Sequence, residues 1–105
     1  MVIHFVRGTT PLGREEIQRI MEERAPHMRE VDGLVQKYYG YEPDSRAFCG
    51  CYIFNSEESR QAYAQSELAR TIPSAYRAEE VRVEVYEVLF PLYEAPQLAQ
   101  QAQHA

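Results

Sequence analysis

Leu34-Val35-Gln36-Lys37-Tyr38-Tyr39-Gly40-Tyr41-Glu42, then Pro43-Asp44-Ser45-Arg46, then Ala47-Phe48-Cys49-Gly50-Cys51-Tyr52-Ile53-Phe54 is the stretch on which the fold turns. Its two outer runs are aromatic and β-branched, and the four residues between them are turn formers, so the whole reads as an antiparallel hairpin. If the loop is Pro43 to Arg46, Glu42 pairs with Ala47. Val35, Lys37, Tyr39 and Tyr41 then share a face with Phe48, Gly50, Tyr52 and Phe54. A loop one residue longer or shorter would exchange the face opposite that set.

Outward from the hairpin, each flank repeats one pattern. On the amino-terminal side, Met1 to Arg7 reads as a strand closed by Gly8. A helix follows, with Thr10 as N-cap, Pro11 at the first helical position, and Glu15 and Glu16 near the positive end of the dipole. Ile17, Ile20, Met21, Met28 and Val31 form its apolar stripe. Pro26 predicts a kink or break near Arg24 and Ala25, and Asp32-Gly33 the stop. On the other side, Asn55 and Ser56 offer N-caps to a second helix. It should run to about Ile72, stop at Pro73, and face inward through Ala62, Tyr63, Ser66, Ala69 and Ile72. Val81 to Phe90 alternates as a last strand ended by Pro91.

Strand, helix, hairpin, helix, strand is the ferredoxin-like βαββαβ order, an α+β fold in which a four-stranded antiparallel sheet carries two helices on one face. The expected domain is 1–94, with a Gln- and Ala-rich carboxy-terminal arm at 95–105. At 105 residues there is room for one core, and a domain this small leaves about a third of its unfolded surface exposed. The sheet looks apolar on both faces while helices cover one, so a homodimer with its bare faces together, a dimeric α+β barrel, is expected.

Composition restricts the function. The chain has 16 acidic and 11 basic side chains, a net charge of −5, and Lys37 as its single lysine, which argues against nucleic acid as a partner. No run of about 18 apolar residues suggests a membrane span and no signal segment is evident, so the default expectation is no membrane partner and a cytoplasmic location. Cys49 and Cys51 sit one residue apart, a spacing that suits buried thiols better than a disulfide. The histidines, His4, His27 and His104, are too scattered to imply a metal site.

Ile3-His4-Phe5, Pro11-Leu12-Gly13, Gly33, Lys37, Gly50-Cys51-Tyr52-Ile53-Phe54, Ala62-Tyr63, Val85-Tyr86-Glu87-Val88 and Pro91-Leu92 together resemble the YdhR-type monooxygenase family. Those proteins are small dimeric α+β barrels related to the antibiotic-biosynthesis monooxygenases. The resemblance extends to Leu92. It implies a monooxygenase needing no cofactor and acting on a small aromatic or polyketide-like compound. Two departures bear on the substrate: Cys49 stands where a second glycine is usual, narrowing the space above the sheet, and there is no Trp.

A phenol must lose a proton before it donates electrons readily to oxygen, so such a site needs a base in a largely apolar cavity. His4 and Lys37 are the candidate catalytic groups, and Tyr39, Tyr52, Phe54, Tyr63 and Tyr86 the candidate substrate contacts. Each has a plainer explanation: a lysine that snorkels to water, a hydrogen-bonded interior histidine, core aromatics. Two other functions fit the same barrel, a non-catalytic small-ligand or stress-related protein and a cofactor-free lyase or cyclase. Haem degradation is disfavoured, since Trp is absent and the only Asn, Asn55, is a helix cap.

Overall fold

The computed structural model describes residues 1–94, and the expected arm at 95–105 lies outside them. Along the chain run β1 (Val2–Thr9), α1 (Arg14–Met28), β2 (Leu34–Glu42), β3 (Ala47–Phe54), the short helices α2 (Glu57–Ala64), α3 (Glu67–Arg70) and α4 (Ile72–Ala75), and β4 (Glu80–Glu87). The strands form one antiparallel sheet in the order β2-β3-β1-β4. This is the ferredoxin-like α+β order. Among the described residues no helix is long and apolar enough to cross a membrane.

The hairpin register has Glu42 opposite Ala47, as the four-residue loop requires. It then departs from the simple reading at one point. A bulge between Leu34 and Gln36 places Leu34, not Val35, opposite Phe54, and Val35 is left 41% exposed. The extra residue changes the parity of the strand's first position, so Leu34 packs into the core instead.

The helices correct the sequence reading in three places. The first helix begins at Arg14 with Gly13 as N-cap, because the Thr10 hydroxyl accepts from the Leu12 backbone N–H (3.1 Å) and donates to the Tyr76 carbonyl (2.7 Å). Pro26 neither ends nor interrupts α1: it lies in the last turn, where a missing N–H frees only one carbonyl, that of Glu22. The second helix is three pieces. Ser66 turns its hydroxyl onto the Tyr63 carbonyl (2.6 Å) and accepts from the Ala69 N–H (3.3 Å), starting a new turn, and Pro73 fits in the first turn of α4 rather than stopping the chain. Of the expected inner face, Tyr63 and Ile72 are buried but Ala62 is exposed. The last strand likewise ends at Glu87, short of Phe90.

Two clusters fill the space beneath the helices. Leu12, Ile17, Met21, Phe48, Ile72 and Tyr76 surround one end, and Val6, Met28, Tyr52, Phe54 and Tyr63 the other. Each fully covered Ile or Phe contributes roughly 1.5–3 kcal/mol, so a handful matches the net stability of a small domain. Gly8 makes the first cluster fit. A Cβ there would lie 2.5 Å from Phe48 Cζ and 3.3 Å from the Glu80 carbonyl oxygen. Gly8→Ala should therefore destabilise the domain by about 1–3 kcal/mol in urea unfolding, the cost of forcing a packed ring aside. An unchanged midpoint would show that Phe48 can move freely.

Candidate active site

The sheet register builds the site. Lys37, Tyr52, His4 and Val85 are successive partners across β2, β3, β1 and β4, one row running the full width of the sheet on the helix side. Tyr52 occupies its centre at 1% exposure. Its hydroxyl is 2.8 Å from that of Tyr63, and its ring meets His4 edge-on with centroids 5.2 Å apart. The Lys37 Nζ stands 4.3 Å from the centroid of the Tyr52 ring and 4.3 Å from that of Tyr39. Gly50 keeps this arrangement open, since a Cβ there would come within 2.9 Å of Tyr52 Cε1 and 3.0 Å of Lys37 Cε.

Burial sets the protonation states. The Lys37 amine is lowered from 10.5 to about 7, first by loss of hydration and then by the nearby Arg24 guanidinium. Among the described residues its Nζ has no hydrogen-bond or ion-pair partner to oppose that shift. His4 is lowered to about 4, mainly by burial and next by Arg60, whose Nη1 lies 3.4 Å from the imidazole Nδ1. His4 is thus neutral at pH 7. Burial also raises both tyrosine hydroxyls, so the Tyr52–Tyr63 pair stays protonated.

The candidates do not all meet. Lys37, Tyr39 and Tyr52, joined by Arg24, line an interior cavity of about 20 Å³, and Lys37 and Tyr39 also line a cleft of about 370 Å³ between α1 and β2. His4 opens instead onto a separate groove of about 240 Å³ with Arg60 and Val83. Phe54 is fully covered and packs on Tyr52 and Tyr63. Tyr86 is on the opposite face of the sheet, paired with Ile3, 52% exposed and hydrogen-bonded to Glu84. Strand parity puts it there. Parity also sends the Cys49 thiol to that far face, over Gly40.

Two functional-looking arginines escaped the sequence reading. Arg24 reaches from α1 to the Leu68 carbonyl (2.6 Å) and the Thr71 hydroxyl (3.4 Å), lies 5.9 Å from the Tyr76 ring centroid, and leaves its buried Nε without a partner. The signal was present: Ile17, Met21, Arg24 and Met28 are spaced four, three and four apart, so Arg24 belongs to the apolar stripe. Arg60 is held by Glu57 at 2.7 Å, a pair three residues apart on α2, but its approach to His4 (3.4 Å) is a fold-dependent contact that no spacing encodes. Among the described residues no three of His, Cys, Asp and Glu gather as a metal-holding group.

Against this geometry the family model described as "Putative mono-oxygenase ydhR" matches residues 1–97. The chain belongs to the ydhR family. No curated protein matches its sequence. Solved structures share the ydhR-family chain's fold at low identity. One, from Deinococcus radiodurans, is described as a "putative antibiotic biosynthesis monooxygenase". It is 11% identical with a TM-score of 0.71, covering 90% of this chain and 98% of its own. SnoaB from Streptomyces nogalater, described as a cofactor-independent oxygenase, is 14% identical with a TM-score of 0.71, covering 89% and 97%. The NE2512 protein of Nitrosomonas europaea, of unknown function, is 18% identical with a TM-score of 0.70, covering 90% and 94%. At such identities the likeness speaks to the fold alone.

Because Lys37 is the only lysine, its titration can be read by competitive acylation with acetic anhydride across pH. The amine should become reactive with a midpoint near about 7, whereas a solvated lysine would titrate near 10.5. The sign for stability follows. The unfolded chain holds this proton up to 10.5 and the folded one only to about 7, so the cost of burying the ammonium is full below about 7 and is relieved as pH rises toward 10.5. Lys37→Met should flatten that rise in urea-unfolding free energy.

Proposed function

We propose that this ydhR-family protein is a cofactor-independent monooxygenase that oxidises a small electron-rich aromatic compound, with Lys37 as general base. The observation that carries the reading is the unpartnered Lys37 amine, seated over the Tyr52 and Tyr39 rings at the junction of an interior cavity and an open cleft. A free amine with a pKa of about 7 suits a base working near neutrality. Family membership and the shared fold of an oxygenase described as cofactor-independent support the same assignment.

The chemistry balances without a further reductant when the substrate is an anthrone-like or hydroquinone-like compound. The Lys37 amine takes the acidic proton, and the resulting carbanion or phenolate passes an electron to dioxygen. Recombination of the radical pair forms a carbon–oxygen bond. For an anthrone, one oxygen atom remains as the new carbonyl and the other leaves as water with the two hydrogens of the oxidised carbon. The ammonium left on Lys37 faces the substrate anion, and Arg24 adds positive charge behind it.

The working unit in this reading is a homodimer in the cytoplasm. On the helix-free face, Ile3, Phe5, Cys49, Cys51 and Ile53 form a continuous apolar centre between Tyr38 and Tyr86, which are 59% and 52% exposed. Leu89, Phe90, Leu92 and Tyr93 are 69–85% exposed beyond β4. A second copy would cover these surfaces, and unpaired thiols suit a reducing compartment.

Two measurements test this. Oxygen uptake with a panel of anthrones and hydroquinones should identify a substrate, and Lys37→Met, a roughly volume-conserving change, should lower kcat by about 100-fold or more while leaving the fold intact. Lys37→Met turning over at the normal rate would remove Lys37 as base, and no uptake with any compound would count against the oxygenase. Sedimentation at micromolar concentration should give twice the 12.2 kDa chain mass.

A further inference from the structure

The cleft of about 370 Å³ between the end of α1 and the start of β2 carries information about what enters it. Its walls are Met28, Leu34 and Val35, with the Tyr39 ring where the cleft meets the interior cavity. Its polar lining is Arg29, Gln36 and Lys37. Among the described residues no carboxylate lines either the cleft or the interior cavity, although the chain as a whole carries a charge of −5. The nearest acidic residues in sequence, Glu30 and Asp32, are not part of the lining, and Asp32 faces a different cavity beside Glu58.

Arg29 is the C-cap of α1. Among the described residues Arg19, Arg60 and Arg70 are held by carboxylates within one turn, and Arg14 and Arg24 are not. Arg29 has no such partner among the described residues, and its positive charge acts on Tyr39 across the cleft. Gln36 spends its side-chain oxygen on the Lys37 backbone N–H (2.9 Å), which leaves the amide NH₂ as a donor. The helix C-terminus opposes this charge weakly. Its exposed carbonyls are largely satisfied by the Arg29, Glu30 and Val31 backbone N–H groups, so the partial charge of the dipole is smaller than a full guanidinium charge.

We infer that this cleft selects a hydroxyaryl carboxylate: a flat aromatic body lying on Met28, Leu34 and Tyr39, its carboxylate held at the rim by Arg29 and the Gln36 amide, its hydroxyl directed inward to Lys37. The carboxylate specificity stands on the cleft itself, while the part played by Lys37 rests on the proposed oxygenase reading. The neutral carboxamide of the same compound keeps the apolar contacts but loses the charge-assisted bonds, so discrimination falls on Arg29.

The test uses the full chain without oxygen, so that binding is separated from turnover. 6-Hydroxy-2-naphthoate should bind at least about tenfold more tightly than 6-hydroxy-2-naphthamide by titration calorimetry, and the preference should shrink as salt is raised. Arg29→Gln, a change at an exposed position, should abolish the preference by weakening the acid and sparing the amide. Equal affinities for acid and amide, a preference that survives Arg29→Gln, or no binding of the acid at millimolar concentration would each overturn the inference. A preference lost on Arg29→Gln together with no oxygen uptake by any aromatic acid would keep the inference and remove the oxygenase reading.

Discussion

Strand β3 is hydrogen-bonded along both edges, by β1 and by β2, and the rest of the molecule depends on that. Its backbone has no freedom to shift, so Phe48, Tyr52 and Phe54 must project from one face at fixed intervals, and that face must be covered. The helices cover it. Tyr52 then becomes the reference point for three strands and one helix: Lys37 and His4 are its ladder neighbours, and Tyr63 of α2 reaches its hydroxyl. Glycines occupy the neighbouring rows because these rings leave no volume for a Cβ at Gly8 or Gly50.

Electrostatics follow from the same packing. A half-buried lysine beside a half-buried arginine is costly unless a counter-charge is supplied or a proton released. Here the fold brings Lys37 and Arg24 around one cavity, and among the described residues no carboxylate lines it. The amine loses its proton readily, and an anion entering from the cleft finds only positive and neutral groups. On the far side of Tyr52, burial and the adjacent Arg60 outweigh the opposing Glu57 carboxylate, and His4 stays neutral. The row therefore has a basic end at β2, where chemistry is proposed, and is neutral from β1 to its far end at β4.

Much of this could be read from the residues alone. Turn chemistry at Pro43 to Arg46 and alternation in both hairpin strands showed the hairpin, and a four-residue loop, which the structure has, puts Lys37, Tyr39 and Tyr52 on one face. The apolar stripe of α1 showed in its helical spacing. The family was legible through short motifs spread over the chain, because those motifs report close packing sites and strand positions. What misled was local capping: a threonine and a proline that look like a helix start were used in a turn, and Ser66 divided one expected helix into pieces.

The sequence by itself determined the order of the strands, the presence of the hairpin and a single lysine among aromatics, since turn residues and side-chain alternation act over a few residues. Only the tertiary structure decided that His4 and Lys37 open onto different spaces, that Tyr86 faces away, and that Arg24 and Arg29 flank the lysine. Those facts depend on which helix lies over which strand and how deeply each group is desolvated. Such contacts join residues far apart in the chain, and no local pattern encodes them.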